Sequence, residues 1–600
     1  MKKIYFVLFF VLIILSGCKS KLSDTSRKQE IFKNYVSEIK NQIENLKNND
    51  KTEKSIVLKK GIYHFYPDGS FEKELYISNH DQDNPKKVGF YLENLKNVVI
   101  DGNGSELIFH GTMIPFVLKN CQNVILKNFS IDFHTPHLRQ LEIIEVDKEK
   151  DISVVEIYPK DHYKIENDKL YIQVDDYKYV PQWVMAFRED KRLTYQRADV
   201  DFETKKVREL RPNVLEIEGW SQHKHTAKGE RFVLRNYHRP TPSIVVDYCK
   251  DTYIENVKIH YAYGMGLLAQ LSENITLNKF AVCLNPNDAR YFTTQADATH
   301  FSACKGLILS ENGLYEAMGD DAINVHGTYL KIIERINENT IRAQYMHPQA
   351  WGFLWGEVGD EVQFLSAKTM ELTDGKIYKI KAIRSVDKPS EFGAKTFDIE
   401  LNENIPQEIT SDKQYSIENL TWTPEVIFKN NIIRNNRARG ALFSTPRKVV
   451  CEGNLFDHTH GTAILLCGDS NGWYETGACR DVIIKNNHFV NALTANYQFT
   501  NAIISIYPEI PDLESQKQYF HSNIMIEDNI FELFDEPILY AKSVNNLTFK
   551  HNKIIKNTDF NPFHWNKHKF FFERVKNVIV KDNLFKKELS GEKNKLSGVK

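Results

Sequence analysis

The chain has 600 residues, 42% of them hydrophobic, enough for a large core and too long for one ordinary compact domain. A formal net charge of -1 and no basic stripe exclude nucleic acid as a partner. Charged residues at 26% and aromatic residues at 12% exclude a disordered chain, and aromatic faces suit stacking on sugars although most belong to the core.

The N-terminus carries a targeting signal. Lys2 and Lys3 precede an apolar run from Ile4 to Leu15, too short for a membrane-spanning helix of about 20 residues. Leu15-Ser16-Gly17-Cys18 then has the form of a bacterial lipobox, with small residues before a cysteine whose thiol is acylated. The reading is a signal peptide over 1–17 and an exported protein anchored to a bacterial membrane by lipid on Cys18. Which membrane face it occupies is left open. Residues 18–50 form a tether in which Ile31, Tyr35, Ile39, Ile43 and Leu46, at steps of four and three, predict one amphipathic helix.

Seven cysteines follow Cys18, an odd number that excludes a complete disulfide framework. Cys121, Cys249, Cys304 and Cys479 each stand before an apolar run, as small core residues do. No zinc-type spacing occurs, so no metal is expected.

From residue 51 a unit recurs: a short β-branched or apolar run, then Asn and another apolar pair. Asn123-Val124-Ile125-Leu126-Lys127-Asn128-Phe129, Val426-Ile427-Phe428-Lys429-Asn430-Asn431-Ile432 and Ile524-Met525-Ile526-Glu527-Asp528-Asn529-Ile530 are examples. Matching asparagines stand 22 apart from Asn256 to Asn278, and 23 apart from Asn431 to Asn454 and from Asn529 to Asn552. That period suits a three-sided rung of three short strands and three turns. Asn fits the turns because it tolerates the left-handed conformation and can bond to Asn in the next rung. The expected fold is all-β, a right-handed parallel β-helix. Residues 137–240 and 328–422 lack the signature and show longer alternating strands, such as Val207–Leu210 with Val214–Ile217, and Lys376–Ile380. They read as two inserted antiparallel β-barrel-like domains. The order is then rungs over 51–136, an insertion, rungs over 241–327, a second insertion, rungs over 423–590 and a tail over 591–600. Segment 241–327 should sit between two walls, where a pocket forms.

That segment holds Asn285-Pro286-Asn287-Asp288-Ala289-Arg290, Gln295-Ala296-Asp297-Ala298-Thr299-His300 and Gly319-Asp320-Asp321-Ala322-Ile323-Asn324-Val325-His326-Gly327. Asp297 lies 23 residues before Asp320, one rung, or roughly 4.8 Å in space. For both members of the Asp pair to reach a ligand, the pair must lie at a strand end or bulge, which Gly319 makes cheap. Crowded carboxylates cannot all ionise easily, so one pKa rises and an acid stands beside bases, as glycosidic cleavage requires.

Gly319-Asp320-Asp321 with an Asp one rung upstream resembles the β-helix glycosidases typified by polygalacturonases. The blocks Ala296–Phe301 and Gly319–Gly327 resemble glycoside hydrolase family 110 more closely. These are α-1,3-galactosidases of gut and marine bacteria, some of which remove the blood-group B galactose. The chain lacks Asn-Thr-Asp at 295–297 and an Arg-Ile-Lys triplet, which argues against a galacturonate substrate. The resemblance implies exo-acting, inverting hydrolysis of glycans ending in α-galactose, without a cofactor. It makes Asp320 the general acid and Asp297 and Asp321 the bases that act on water. Asn285, Arg290, Asn324 and His326 are near in sequence and could bind galactose hydroxyls or serve structural hydrogen bonds. Trp351 and Trp355 could stack on sugar or pack in a core, and His458 and His460 read as structural. An aromatic-rich exposed insertion would make a homodimer unsurprising. A pectinase-like hydrolase and a non-catalytic glycan-binding β-helix are the alternatives, the latter having no use for three crowded aspartates. A lyase would want an acidic calcium cluster and a basic residue, and no such cluster is seen.

Overall fold

The computed structural model describes residues 32–48, 53–196, 199–222, 226–387, 394–410, 414–497 and 499–586. The signal peptide, Cys18 and the tail 591–600 lie outside the described residues.

A right-handed parallel β-helix forms, as expected from the repeat. In its short strands alternate residues point inward; in Asp481–Lys485, Val482 and Ile484 are buried while Asp481 is exposed. Identical inward positions stack from rung to rung. Phe456, Phe489 and Phe531 occupy one column, with ring centroids 5.1 and 4.7 Å apart. The recurring asparagines do two jobs. Asn97, Asn123, Asn274, Asn430 and Asn486 take positive φ between 53 and 57° at turns. Asn431, Asn454, Asn487, Asn529, Asn552 and Asn583 form a ladder in which each side-chain amide donates to the next residue's Oδ1 at 2.9–3.2 Å. Each of those Oδ1 atoms also accepts the backbone N–H of the preceding asparagine. The turn backbone is thereby satisfied inside the core.

The expected helix runs over Val36–Lys47, begins after Tyr35 and buries Val36, Ile39, Ile43 and Leu46 against the first rungs, near strands Lys54–Val57 and Lys86–Glu93, while Ile31 lies outside the described residues. All seven cysteines after Cys18 are free and buried.

One face of the β-helix carries the strands Ile244–Asp247, Leu267–Gln270, Thr299–Ser302, Ile323–Thr328, Ala441–Ser444 and Ile464–Leu466, each parallel to the next. The first insertion fills the turn entering this face at Ile244. It is a seven-stranded antiparallel sheet and a three-stranded sheet between Arg139 and Arg235, around Leu141, Val155, Trp220 and Phe232. The second fills the turn leaving the face after Thr328. It is a closed six-stranded barrel from Leu330 to Asn419, around Tyr345, Phe364 and Phe397. Both insertions therefore border the same sheet, at opposite ends of its strands.

Candidate active site

The turn entering this face places functional side chains in successive rungs. Thr299 pairs with Ile323, and Ile323 with Ala441. Counting back two residues from each puts Asp297, Asp321 and Arg439 in one column. The rung offset is thus 24 residues, aligning Asp297 with Asp321 rather than Asp320. The Asp321 N–H donates to Asp297 Oδ1 at 3.3 Å, and the Ala298 N–H donates to the Asp321 carbonyl at 2.8 Å. Asp320 precedes the column and turns into the cavity. Gly319 permits this by close approach: a Cβ there would lie 2.3 Å from the Gln295 carbonyl oxygen of the preceding rung. One oxygen from each of Asp297, Asp320 and Asp321 falls within 4.8 Å of the others.

Four arginines surround the trio. The Arg439 N–H and Nη2 donate to the two oxygens of Asp321 at 3.0 and 2.8 Å. Arg239 Nη2 donates to Asp320 Oδ2 at 3.2 Å, and Arg437 Nη1 lies 3.8 Å from Asp320 Oδ1. Asp199 of the first insertion holds Arg437 through contacts of 2.6–3.1 Å and lies 3.8 Å from Arg235. Burial alone would raise Asp320, but Arg439, Arg437, Arg239 and Arg235 outweigh it and hold Asp320 below the usual carboxylate range. Burial, with Asp320 adding, pushes Asp297 up to about 7. Burial also pushes Asp321 well up, against the Arg439 guanidinium and helped by both neighbouring carboxylates. The trio titrates as a unit: Asp320 gives up its proton most readily, and Asp297 and Asp321 hold theirs more tightly than ordinary carboxyls do. This is the reverse of the resting state expected if Asp320 is the acid.

The cavity above the trio has a volume of about 330 Å³, ample for a terminal sugar. Trp183, Tyr237, Trp473, Tyr497 and Phe499 supply its aromatic wall. The first insertion and its return to the helix form one side. The other side is the segment Cys467–Glu475, not the second barrel, which contributes no lining residue among those described.

Of the other residues singled out from sequence, Asn324 lines the cavity, and its Oδ1 is buried without a hydrogen-bond partner, an acceptor ready for a sugar hydroxyl. His326 lies behind the wall, with Nε2 2.7 Å from His300 Nε2. Asn285 and Arg290 are not in the site: both bind Asp132, at 3.1 and 2.6 Å, and Arg290 also binds Asp288 at 2.9 Å. On a β-helix, residues a few positions before Asp297 have already turned a corner onto another side. Trp355 is core of the second barrel, its Nε1 donating to the Thr328 carbonyl at 2.8 Å. Trp351 packs on the edge of that core near Tyr76, away from the cavity. His458 bonds Asp457, and His460 bridges Tyr497 Oη and the Thr194 carbonyl at 2.8 Å each. The fold also brings together His300, His326 and Glu475, a group that sequence spacing does not reveal. Its 2.7 Å nitrogen–nitrogen contact is a hydrogen bond, shorter than the roughly 3.3 Å separating two ligands of a tetrahedral zinc.

A parallel β-helix with an acid–base carboxylate trio under an aromatic-walled, sugar-sized cavity defines a glycoside hydrolase. Residues 139–230 match the family model of GLAA-B beta-barrel domain I, and residues 340–412 that of GLAA-B beta-barrel domain II. The chain is 52% identical over 569 residues to alpha-1,3-galactosidase B of Phocaeicola vulgatus, covering 93% of this chain and 96% of that protein. It is 51% identical to alpha-1,3-galactosidase B of Bacteroides fragilis over 572 residues, 94% and 95% of the two chains. The Parabacteroides distasonis protein of that name is 51% identical over 532 residues, 88% and 87%. The chain belongs to this family of bacterial α-1,3-galactosidases.

Proposed function

We propose that this protein releases terminal α-1,3-linked galactose from glycans, from blood-group B ends, linear Galα1-3Gal ends or both, by inverting acid–base hydrolysis. The observation that carries the chemistry is three carboxylates of unequal proton affinity crowded on the cavity floor. Substrate entry moves the trio's proton to Asp320, which passes it to the departing oxygen. Asp297, then bare, takes a proton from the attacking water with Asp321 orienting it. The cycle closes with Asp320 charged and Asp297 protonated, the resting state. The trio's separation is below the roughly 6.5–9.5 Å usual for inverting pairs, so the inverting assignment rests on the family resemblance. Nothing in this scheme calls on a cofactor.

The test is galactose release from the branched trisaccharide and from the linear disaccharide by wild type and Asp320→Asn, with the first-formed anomer read by NMR. Release as β-galactose that vanishes in the variant supports the reading. First-formed α-galactose sinks inversion, and no release from either glycan sinks the substrate.

We also propose export and lipid anchoring through Cys18 to a bacterial membrane, supported by the lipobox. Loss of palmitate labelling and of membrane association in Cys18→Ser is the expected result. A homodimer through the second barrel is proposed from its exposed Val358 and Ile377, and sedimentation of wild type against the doubly substituted Val358→Asp, Ile377→Asp protein tests it.

A further inference from the structure

His300 and His326 are buried, and one chain of hydrogen bonds joins them to Asp297. Asp297 Oδ2 lies 2.7 Å from His300 Nδ1, His300 Nε2 lies 2.7 Å from His326 Nε2, and His326 Nδ1 lies 2.6 Å from the Gly327 carbonyl. Glu475 Oε1 stands 3.4 Å from His326 Nε2 and lines the cavity.

Hydrogen-bond chemistry limits this chain to two polarities. A carbonyl only accepts, so His326 Nδ1 carries a hydrogen. A neutral His326 then offers a bare Nε2, which must accept from His300 Nε2–H. That leaves His300 Nδ1 bare, and Asp297 must fill it by donating, as a protonated carboxylic acid. The opposite polarity holds the same three protons: Asp297 is a carboxylate accepting from His300 Nδ1–H, and His326 is an imidazolium facing Glu475. The two states interconvert by two hops, the Asp297 proton to His300 Nδ1 and the His300 Nε2 proton to His326 Nε2. Burial first, then His326, keeps His300 itself neutral, and burial raises Asp297, so His300 passes the mobile proton on rather than keeping it. Arg239, Asp320 and His80 are the other ionisable groups facing His300.

We propose that His300 and His326 form a relay carrying a proton between Asp297 and Glu475 at the cavity wall, with His326 a positioning residue that does not touch substrate. This rests on the reading of Asp297 as a base. Asp297 has no hydrogen bond to Asp320 among the described residues, so the proton that passes from Asp297 to Asp320 needs a route between them before Asp297 can deprotonate water, and Glu475, at the far end of the relay, shares the cavity with Asp320. The relay supplies that route, and hydrolysis consumes no net proton.

The experiment compares wild type, His326→Gln, His326→Asn (which keeps a donor toward Gly327) and Glu475→Gln, each confirmed folded by circular dichroism. Galactose release is followed against pH and against added imidazole. The expected result is a fall in kcat of about 10-fold or more with KM within about 2-fold, a displaced pH profile, and recovery of kcat as imidazole rises in the His326 variants. A kcat unchanged in both His326 variants overturns the relay, as does a loss of kcat that imidazole does not restore and that leaves the pH profile in place. Asp297→Asn, run alongside, separates the two claims: if it keeps full activity, the base assignment fails. If it is inactive while the His326 variants behave as wild type, only the relay fails.

Discussion

Arg439 lies one rung beyond Asp321 and grips both of its carboxylate oxygens, one through its backbone N–H at 3.0 Å and one through Nη2 at 2.8 Å. Asp321 is 1% exposed at its side chain, so this is a buried, two-point ion pair. The same guanidinium also acts on Asp320 and Asp297.

Arg439→Ala should therefore cost more than a contact. Removing one partner of a buried pair strands the other and destabilises by about 3–5 kcal/mol, and the trio loses the positive charge that keeps Asp320 ionised. Expected are a lower denaturation midpoint by chemical unfolding and a fall in kcat/KM of at least about 100-fold. Arg439→Lys should recover part of the stability and little of the activity, because lysine keeps the backbone N–H bond but its compact ammonium cannot spread its charge over Asp321, Asp320 and Asp297 as the guanidinium does.

The raised pKa of Asp297 predicts a pH-dependent stability. Its folded value, about 7, exceeds the unfolded value of about 3.9, so the native state binds the extra proton between them. The contribution is full below about pH 4 and is lost as pH rises through about 7. Asp297→Asn should thus match wild type in Tm near pH 4 and exceed it near pH 8. Equal melting curves at both pH values would falsify the assignment of a buried, protonated Asp297.

Trp473 stands on the cavity wall, stacked on His347 at 4.2 Å between ring centroids. A ring held this way offers its free face to a pyranose and takes no part in proton transfer. Trp473→Ala should raise KM by about 10-fold with kcat little changed, the mark of lost uniform binding; a selective loss of kcat would place the ring elsewhere in the mechanism.

Within the asparagine ladder, Asn487 Oδ1 accepts both the backbone N–H and the side-chain amide of Asn454, each at 2.9 Å. Asn487→Ala leaves those donors buried and unpaired, at a cost of about 1–3 kcal/mol for each. The expected outcome is a clear drop in stability on urea unfolding, with KM unchanged because the ladder lies outside the cavity. Asn487→Asp keeps that acceptor but sets a buried carboxyl oxygen against the Cys451 carbonyl and Asn529 Oδ1, which the amide reaches at 2.9 and 3.1 Å, and should be destabilised as well.

The β-helix and the aspartates were legible because both follow the rung period. Asp297 and Asp321 stand 24 residues apart, close to the 23 between Asn431 and Asn454. Arg439 was hidden for the converse reason: the second barrel separates it from Asp321 by 118 residues, although it is the next residue of the column. A signal was present in Arg437-Ala438-Arg439-Gly440, which leads into strand Ala441–Ser444 as Asp320-Asp321-Ala322 leads into strand Ile323–Thr328. Asn285 and Arg290 misled because nearness along the chain means little where every rung turns three corners. Trp355 could not be separated from a sugar platform by sequence, since its role depends on the Thr328 carbonyl meeting its indole nitrogen.

The splice at Thr328 has a wider consequence. A closed barrel departs and returns between two rungs that remain in register, Ile323 against Ala441. The coil therefore works like a rack whose shelf spacing is set independently of what is hung from its corners. Chemistry that depends on that spacing stays intact while whole domains are exchanged at the corners, so cavity walls and substrate reach can diversify without re-aligning the carboxylates.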